Sequence, residues 1–414
     1  MTAEVILTLG LLLAAGLLAR LVATLLRVPE MLILVAVGAA IGPSLGNLVD
    51  VPLDSLGAQL TFTLGVSAIL FYGGLNLSLK VLRSVATSLA LLSVVGILLT
   101  AAVVAVPAHY ALEMGWTEAL LLGAVLSPTD PAILVGLFSG SGLRPKVGHT
   151  LIAESGFNDP VGAVLALALA GAVVSSSGAG VGPSLAADFV VAMLISVGIG
   201  LVAGILLAAT ISSHRAGIWS ESSAIAMAMV VTIGYFSLDS TDGSGYLGAF
   251  VAGIIVGNMR LLKLSMHSVH ERELKDFARH VAEIVTLLVF LILGINLPFS
   301  AIAEYWLPAL ATILVLMLIA RPLVVIVCAL PDRRARWQRS ELTFMSWSRE
   351  TGVVPAALVG VLAGLGVPDI EIYGAVVALA IIVTLAIQAM PAPWLARRLG
   401  LLDSPQSGET EAAN

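Results

Sequence analysis

The chain has 414 residues, of which 59% are hydrophobic and only 11% charged, and its mean hydropathy is +1.05. Soluble domains carry about 25% charged residues, so the composition excludes a soluble globular protein and predicts an all-α polytopic membrane protein. The formal net charge of −6 says little by itself, and the single cysteine, Cys328, excludes a disulfide within the chain and lies in an apolar run as a packing residue.

About thirteen apolar segments approach or reach spanning length. In chain order they are Val5–Leu26, Met31–Val49, Leu60–Leu79, Thr87–Leu112, Ala119–Leu137, Thr150–Val174, Phe189–Ile211, Ser223–Leu238, Gly245–Met259, Ala282–Leu297, Trp306–Leu330, Leu342–Leu362 and Ile372–Met390. The eighth and ninth are short and separate at Asp239 to Ser244. No basic stretch precedes the first run, so it is expected to stay as a helix and not to be cleaved as a signal peptide.

All but two of the 20 basic residues fall in the odd-numbered connections, the adjoining helix ends and the C-terminal end, including Arg20, Arg27, Lys80, Arg83, Arg144, Lys146, Arg215, Arg260, Arg279, Arg333 and Arg397. The even-numbered connections carry acids instead, among them Asp50, Asp54, Glu113, Glu118, Asp188, Asp239 and Glu304. Lys and Arg concentrate on the cytoplasmic side, which predicts a protein of the cytoplasmic (plasma) membrane with its N-terminus outside and its C-terminus cytoplasmic. A miscounted helix would scramble this alternation. The connection from Arg260 to Arg279 is amphipathic and is expected to form an interfacial helix linking two bundles; residues 401–414 read as a short polar cytoplasmic tail.

The exceptions, Arg321 and Arg349, lie inside apolar segments, as do Asp130, Glu154, Asp159 and Glu350. A charge at the centre of a membrane helix costs roughly 2.5–3.5 kcal/mol on insertion scales, so the cluster demands a role. Pro128 and Pro131 bracket Thr129-Asp130 and should break the fifth segment; irregular backbone at that depth must be buried in protein or line a watery cavity. In the sixth segment Ser155 and Asp159 share one helix face and Glu154 and Asn158 the next. Two carboxylates and two hydroxyls, from Asp130, Asp159, Thr129 and Ser155, form a plausible ligand set for a small hard cation such as Na⁺, K⁺ or Li⁺. Burial and a neighbouring carboxylate favour protonation as well, so one site could hold either a cation or a proton. The bland alternative is that the acids are structural partners of Arg321 and Arg349, but two arginines cannot neutralise four acids. Arg349 could pair locally with Glu350 or serve as a counter-charge for the helix ends at the twelfth break.

The twelfth segment is interrupted by Ser348-Arg349-Glu350-Thr351-Gly352. Each interruption precedes a small-residue run, Ala132-Ile133-Leu134-Val135-Gly136 and Ala356-Ala357-Leu358-Val359-Gly360. Segments four to six and eleven to thirteen therefore look like inverted repeats with interrupted helices crossing near the midplane. Gly200 and Gly204 form a small-xxx-small pair suited to close helix contact, a possible dimer interface. His267, His270 and His280 read as a solvated face or, more sharply, a cytoplasmic pH sensor. No Walker, zinc or nucleophile-elbow pattern occurs, which argues against ATP-driven pumping, an enzyme or a bound cofactor.

At Ser127-Pro128-Thr129-Asp130-Pro131 and Glu154-Ser155-Gly156-Phe157-Asn158-Asp159-Pro160, with weaker support from Arg321-Pro322 and Ser346-Trp347, the sequence resembles the monovalent cation/proton antiporters of the NhaP type. The resemblance implies thirteen helices and a homodimer. It implies a core bundle (about 87–174 and 306–390) that moves against a dimerisation bundle (about 5–79 and 189–259), with a linking segment at 260–297. It further implies that Asp159 carries the ion or proton with help from Asp130, Thr129 and Ser155, that Glu154 pairs with Arg321, and that Asn158 marks an electroneutral exchanger; the substrates are a monovalent cation and H⁺, with membrane lipid but no nucleic acid as a further partner. Two departures stand out: Ser348-Arg349-Glu350-Thr351-Gly352 where the family has a Gly-Leu-Arg-Gly-like element, and Tyr72 in Phe71-Tyr72-Gly73-Gly74 where relatives often carry an acid. A cation channel or uniporter, and a sodium-coupled symporter of a small organic anion, are the alternatives.

Overall fold

The computed structural model describes residues 2–79, 85–130, 142–175, 183–213 and 217–402. The helices are α1 (Thr2–Leu26), α2 (Glu30–Ile41), α3 (Leu56–Leu75), α4 (Ala86–Ala111), α5 (Trp116–Leu126), α6 (Pro145–Val174), α7 (Pro183–Thr210), α8 (Ser223–Asp239), α9 (Gly245–Gly257), α10 (Ser268–Ile295), α11 (Phe299–Ala329), α12 (Arg339–Trp347), α13 (Val353–Gly364), α14 (Ile370–Thr384) and the short α15 (Ala392–Arg398). Among the described residues nine helices are long and apolar enough to cross a membrane, and α2, α5, α9 and α13 are shorter apolar helices. Each of the thirteen apolar segments read from the sequence contains at least one of these helices. No strand occurs among the described residues beyond one antiparallel bridge, Leu143 to Leu402.

The differences from the expected boundaries have local causes. Gly42-Pro43 ends α2 at Ile41, well short of Val49. The expected split at Asp239 to Ser244 is present between α8 and α9. The amphipathic stretch before the tenth segment is not a separate interfacial helix: from Ser268 it is continuous with the apolar half of α10. The twelfth segment is two helices, α12 and α13, parted at Ser348 to Gly352. Pro131, the run Ala132–Gly136, Lys80, Arg83, Arg215 and Asp403–Asn414 lie outside the described residues. Leu401 and Leu402 do not belong to a free tail: Leu401 is buried, and its carbonyl accepts the Arg144 N–H at 2.8 Å.

Packing sorts the helices into two groups. In one, α2 and α3 pack on α10, α3 on α9, and α9 on α7 and α8. In the other, α4 packs on α5, α6 and α11, and α14 packs on α11 and α13. The groups meet mainly through α6, against α3, α7 and α9, and through α13, against α3 and α10. In lipid the hydrophobic effect gives little drive to helix association, so close backbone approach carries it. The Gly200/Gly204 stripe shows this inside one chain. A Cβ on Gly200 would lie 2.7 Å from the Gly248 carbonyl oxygen, and one on Gly204 would lie 2.9 Å from Ala252 Cα. The stripe therefore seats α7 on α9 of the same chain, which removes it as a dimer interface. Gly204→Leu is expected to lower the thermal unfolding midpoint of the detergent-solubilised chain while leaving its assembly mass by light scattering unchanged.

The connection between α11 and α12 is pinned by Asp332. Its Oδ2 accepts from Ser88 N and Oγ at 3.0 and 2.8 Å, and its Oδ1 from Arg334 N and Ala335 N at 3.1 and 3.3 Å. Burial alone would push this carboxyl up; the hydrogen bonds outweigh it and hold it below the usual carboxylate range.

Candidate functional site

Two breaks in helical backbone meet where the helix groups join. α5 stops at Leu126 and the chain is irregular through Ser127 to Asp130, as the prolines require. The chain between α12 and α13 is irregular through Ser348 to Gly352. The Asp130 N–H donates to the Glu350 carbonyl at 3.0 Å. Arg349, 1% exposed, donates through Nη2 to the Leu126 carbonyl and, at 3.1 Å, to the Ser127 carbonyl. Its charge thus serves the carbonyl-rich C-terminus of α5, not Glu350 and not its own break. Gln388 fastens the second break, donating through Nε2 to the Trp347 carbonyl at 2.7 Å, while Trp347 Nε1 donates to the Gln388 carbonyl at 3.2 Å.

α6 supplies the rest. Glu154 and Arg321 form a bidentate, buried ion pair, with Nη2 to Oε2 at 3.0 Å, and Arg321 Nε donates to the Met345 carbonyl at 2.9 Å. Asn158 and Thr129 grip each other reciprocally: Asn158 Nδ2 donates to Thr129 Oγ1 at 2.8 Å and Thr129 N donates to Asn158 Oδ1 at 3.3 Å. Both arginines are thereby committed, Arg321 to Glu154 and Arg349 to backbone. Among the described residues no basic group lies within 4 Å of Asp159.

Asp159, Asp130 and Ser155 line one cavity of about 650 Å³, together with Gly156, Tyr72, Asn76 and Val353. Thr129 does not line it. Pro160 has no N–H, so the helical rung that would engage the Gly156 carbonyl lacks its donor. The cavity therefore offers carboxylate, hydroxyl and backbone oxygens at one end. At its other end it is lined by Arg20, Glu30, Arg279 and Glu283. Glu30 Oε2 is 3.2 Å from Arg20 Nε, Glu283 Oε2 is 3.8 Å from Arg20 Nη1, and Glu283 Oε1 is 3.7 Å from Arg279 Nη1. These pairs are partly exposed and contribute little stability. They are a mixed-charge, partly exposed portion of the lining. His267, His270 and His280 do not line the cavity.

The approach of the two breaks leaves no room at Gly352, where an added Cβ would lie 2.2 Å from Asp130 Cβ. Gly352→Ala is expected to displace Asp130 and to cost about 1–3 kcal/mol as overpacking, measured as a fall in thermal midpoint.

The family model described as "Sodium/hydrogen exchanger, transmembrane" matches residues 11–398. The chain belongs to the sodium/hydrogen exchanger family. It is 30% identical over 410 residues to a protein named K(+)/H(+) antiporter NhaP of Alkalimonas amylolytica, covering 97% of this chain and 68% of that one. It is likewise 30% identical to K(+)/H(+) antiporter NhaP2 of Shewanella oneidensis, covering 90% of this chain and 63% of that one. The chain thus spans about two thirds of the length of these relatives. The structure of the sodium proton antiporter MjNhaP1 from Methanocaldococcus jannaschii superposes with a TM-score of 0.79 at 22% identity, covering 96% of this chain and 99% of that one, and shares the fold. The family is one of transporters, and with this fold the exchanger family member is a multi-pass membrane protein.

Several site features escaped sequence reasoning. Arg349 reaching the end of α5 was foreshadowed only by the rule that helix C-termini attract cations; nothing in the sequence says which helix end. The Gly156 carbonyl was readable from Pro160 four residues on. The lining residues Arg20, Glu30 and Glu283 come from three helices, so no local pattern joins them.

Proposed function

We propose that this family member is a secondary antiporter that exchanges a monovalent cation for H⁺ by alternating access. The observation that carries this reading is Asp159, a carboxylate in an accessible cavity with no basic partner among the described residues, beside a broken backbone that holds Asp130. A cation and a proton compete for it, and the charge left in its empty form keeps the bundle from moving unloaded. Asp130, Ser155 and the Gly156 carbonyl complete the cation's oxygen shell. Asn158 and Thr129 hold Asp130's strand of irregular backbone against α6, and Glu154 with Arg321 fixes α6 to α11. Arg349 restrains the end of α5.

The helix group α4, α5, α6, α11, α13 and α14 acts as the moving core bundle. The group α1, α2, α3, α7, α8 and α9 forms the dimerisation bundle, whose broadly exposed apolar faces on α1 and α7 suit a homodimer in lipid, and α10 links the two. The cavity opens to the cytoplasm at Arg20 and Glu283, with the N-terminus outside and the C-terminus inside the plasma membrane, in keeping with the Lys/Arg bias. The cation is Na⁺ or K⁺, the two named for the relatives and the superposed structure, and one carboxylate beside a neutral Asn158 supports one-for-one, electroneutral exchange. Proteoliposomes loaded with a pH dye and challenged with Na⁺, K⁺ and Li⁺ in turn test this. Cation-driven proton movement without net current is expected; a cation current with no proton movement would indicate a channel.

A further inference from the structure

The basic residues of the two helix groups are used differently. On the α1, α2 and α10 side, Arg20, Arg260, Lys275 and Arg279 each reach a carboxylate within 4 Å. Among the described residues Arg27, Lys263 and Arg272 have none there. On the other side stand Arg333, Arg334, Arg336, Arg339, Arg397 and Arg398, all exposed. Among the described residues none of these six has a carboxylate within 4 Å. The two acids nearest in sequence are engaged elsewhere: Asp332 by Ser88 and two backbone N–H groups, Glu341 by Lys146 Nζ at 2.7 Å and Gln338 N at 2.9 Å.

The six arginines come from two stretches that share one small core. Ala329, Phe344 and Met345 pack in the same buried cluster as Ala392, Ala396 and Leu401. The α11–α12 connection and α15 therefore lie side by side at one end of the helix group. Both stretches lie at a span's end, since α11 ends at Ala329 and α15 closes the span that begins with α14 and continues through a helical turn at Leu385–Ala389. Trp394, 58% exposed, lies 5.3 Å from the Arg398 guanidinium. Tryptophan favours the headgroup level of a bilayer, and clusters of roughly four to eight Lys/Arg beside a span recognise anionic headgroups. The bias of basic residues to one side of the membrane explains their sign. It does not explain why, among the described residues, six clustered arginines have no carboxylate within reach while Asp332 and Glu341 are engaged by other partners.

We propose that the arginine cluster Arg333, Arg334, Arg336, Arg339, Arg397 and Arg398 is a binding surface for the phosphate headgroups of anionic phospholipids, which complete its charge and tether this helix group to the membrane surface. Guanidinium forks bind phosphate oxygens bidentately, and Trp394 sets the depth at which they meet them.

The test is native mass spectrometry of the full chain released from detergent containing phosphatidylglycerol or phosphatidylcholine. The wild type is expected to retain phosphatidylglycerol preferentially, and KCl is expected to strip it. The variant R333Q/R334Q/R336Q/R339Q should lose that preference by about tenfold or more, R397Q/R398Q by a smaller factor, and R27Q/K263Q/R272Q not at all. Cation/proton exchange of the first two variants in pure phosphatidylcholine should match wild type. This readout does not depend on transport, so it stands or falls separately from the antiport reading. Equal phosphatidylglycerol retention by the arginine variants and wild type, an equal loss in R27Q/K263Q/R272Q, or displacement of the lipid by inorganic phosphate at matched ionic strength would each overturn the proposal.

Discussion

Asp159→Asn is expected to abolish cation-driven proton movement in proteoliposomes while raising the thermal unfolding midpoint. The two effects have one origin. Asparagine keeps the side-chain volume and a carbonyl oxygen, so the packing of α6 against α3 and α9 is unchanged. It removes the only part of the side chain that can trade a proton for a cation. A carboxylate in a membrane cavity with no basic partner among the described residues is costly to hold, and the amide relieves that cost. Loss of exchange with a stable fold would place the chemistry on Asp159. Exchange at an undiminished rate would remove Asp159 from the mechanism. A fall in thermal midpoint as large as that of a core deletion would mean that the carboxylate has a structural partner. Asp130→Asn, by contrast, should weaken cation dependence and leave residual exchange, because its contribution is shared with Ser155 and backbone oxygens.

The second large effect is structural. Arg321→Met should destabilise the protein by about 3–5 kcal/mol, because it strands Glu154 as a buried charge. Both side chains are almost fully buried, 3% and 2% exposed, and the Met345 carbonyl also loses its donor. The double variant Glu154→Gln with Arg321→Met is expected to recover most of the loss, since it leaves no stranded charge. The comparison of thermal midpoints in one detergent isolates the coupling. If the double variant is as unstable as the single one, the lost hydrogen bond and packing matter more than the charge.

The fold was legible because its signals are of long range along the chain. Apolar runs of spanning length and the alternation of Lys/Arg with Asp/Glu between connections placed thirteen segments, and all thirteen hold helices. Ends were less legible where a short motif overrides hydropathy: Gly42-Pro43 cuts α2 short although Leu45, Leu48 and Val49 follow, and the charged half of α10 is helical although its hydropathy is low. The site was legible where chemistry is dense in sequence, as in Ser155 to Asp159 on α6. Its cross-connections were not. That Arg349 would serve Leu126 and Ser127, or that Thr129 would turn to Asn158 instead of lining the cavity, depends on how two irregular backbones pass each other. Hydropathy and periodicity hold no information about that crossing. The small-residue stripe at Gly200 and Gly204 was visible, but its partner was not, because α9 and a second copy of the chain would look alike to it.

The grip of Leu401 on Arg144 and of Leu402 on Leu143 has a mechanical consequence. Arg144 immediately precedes the first turn of α6, the rod that bears Asp159 at its middle. A load hung on the C-terminus, whether a fused reporter or a surface to which the protein is immobilised, would pull on that rod through two residues of backbone. Tags placed after residue 402 should therefore perturb turnover more than the same tags placed before Thr2.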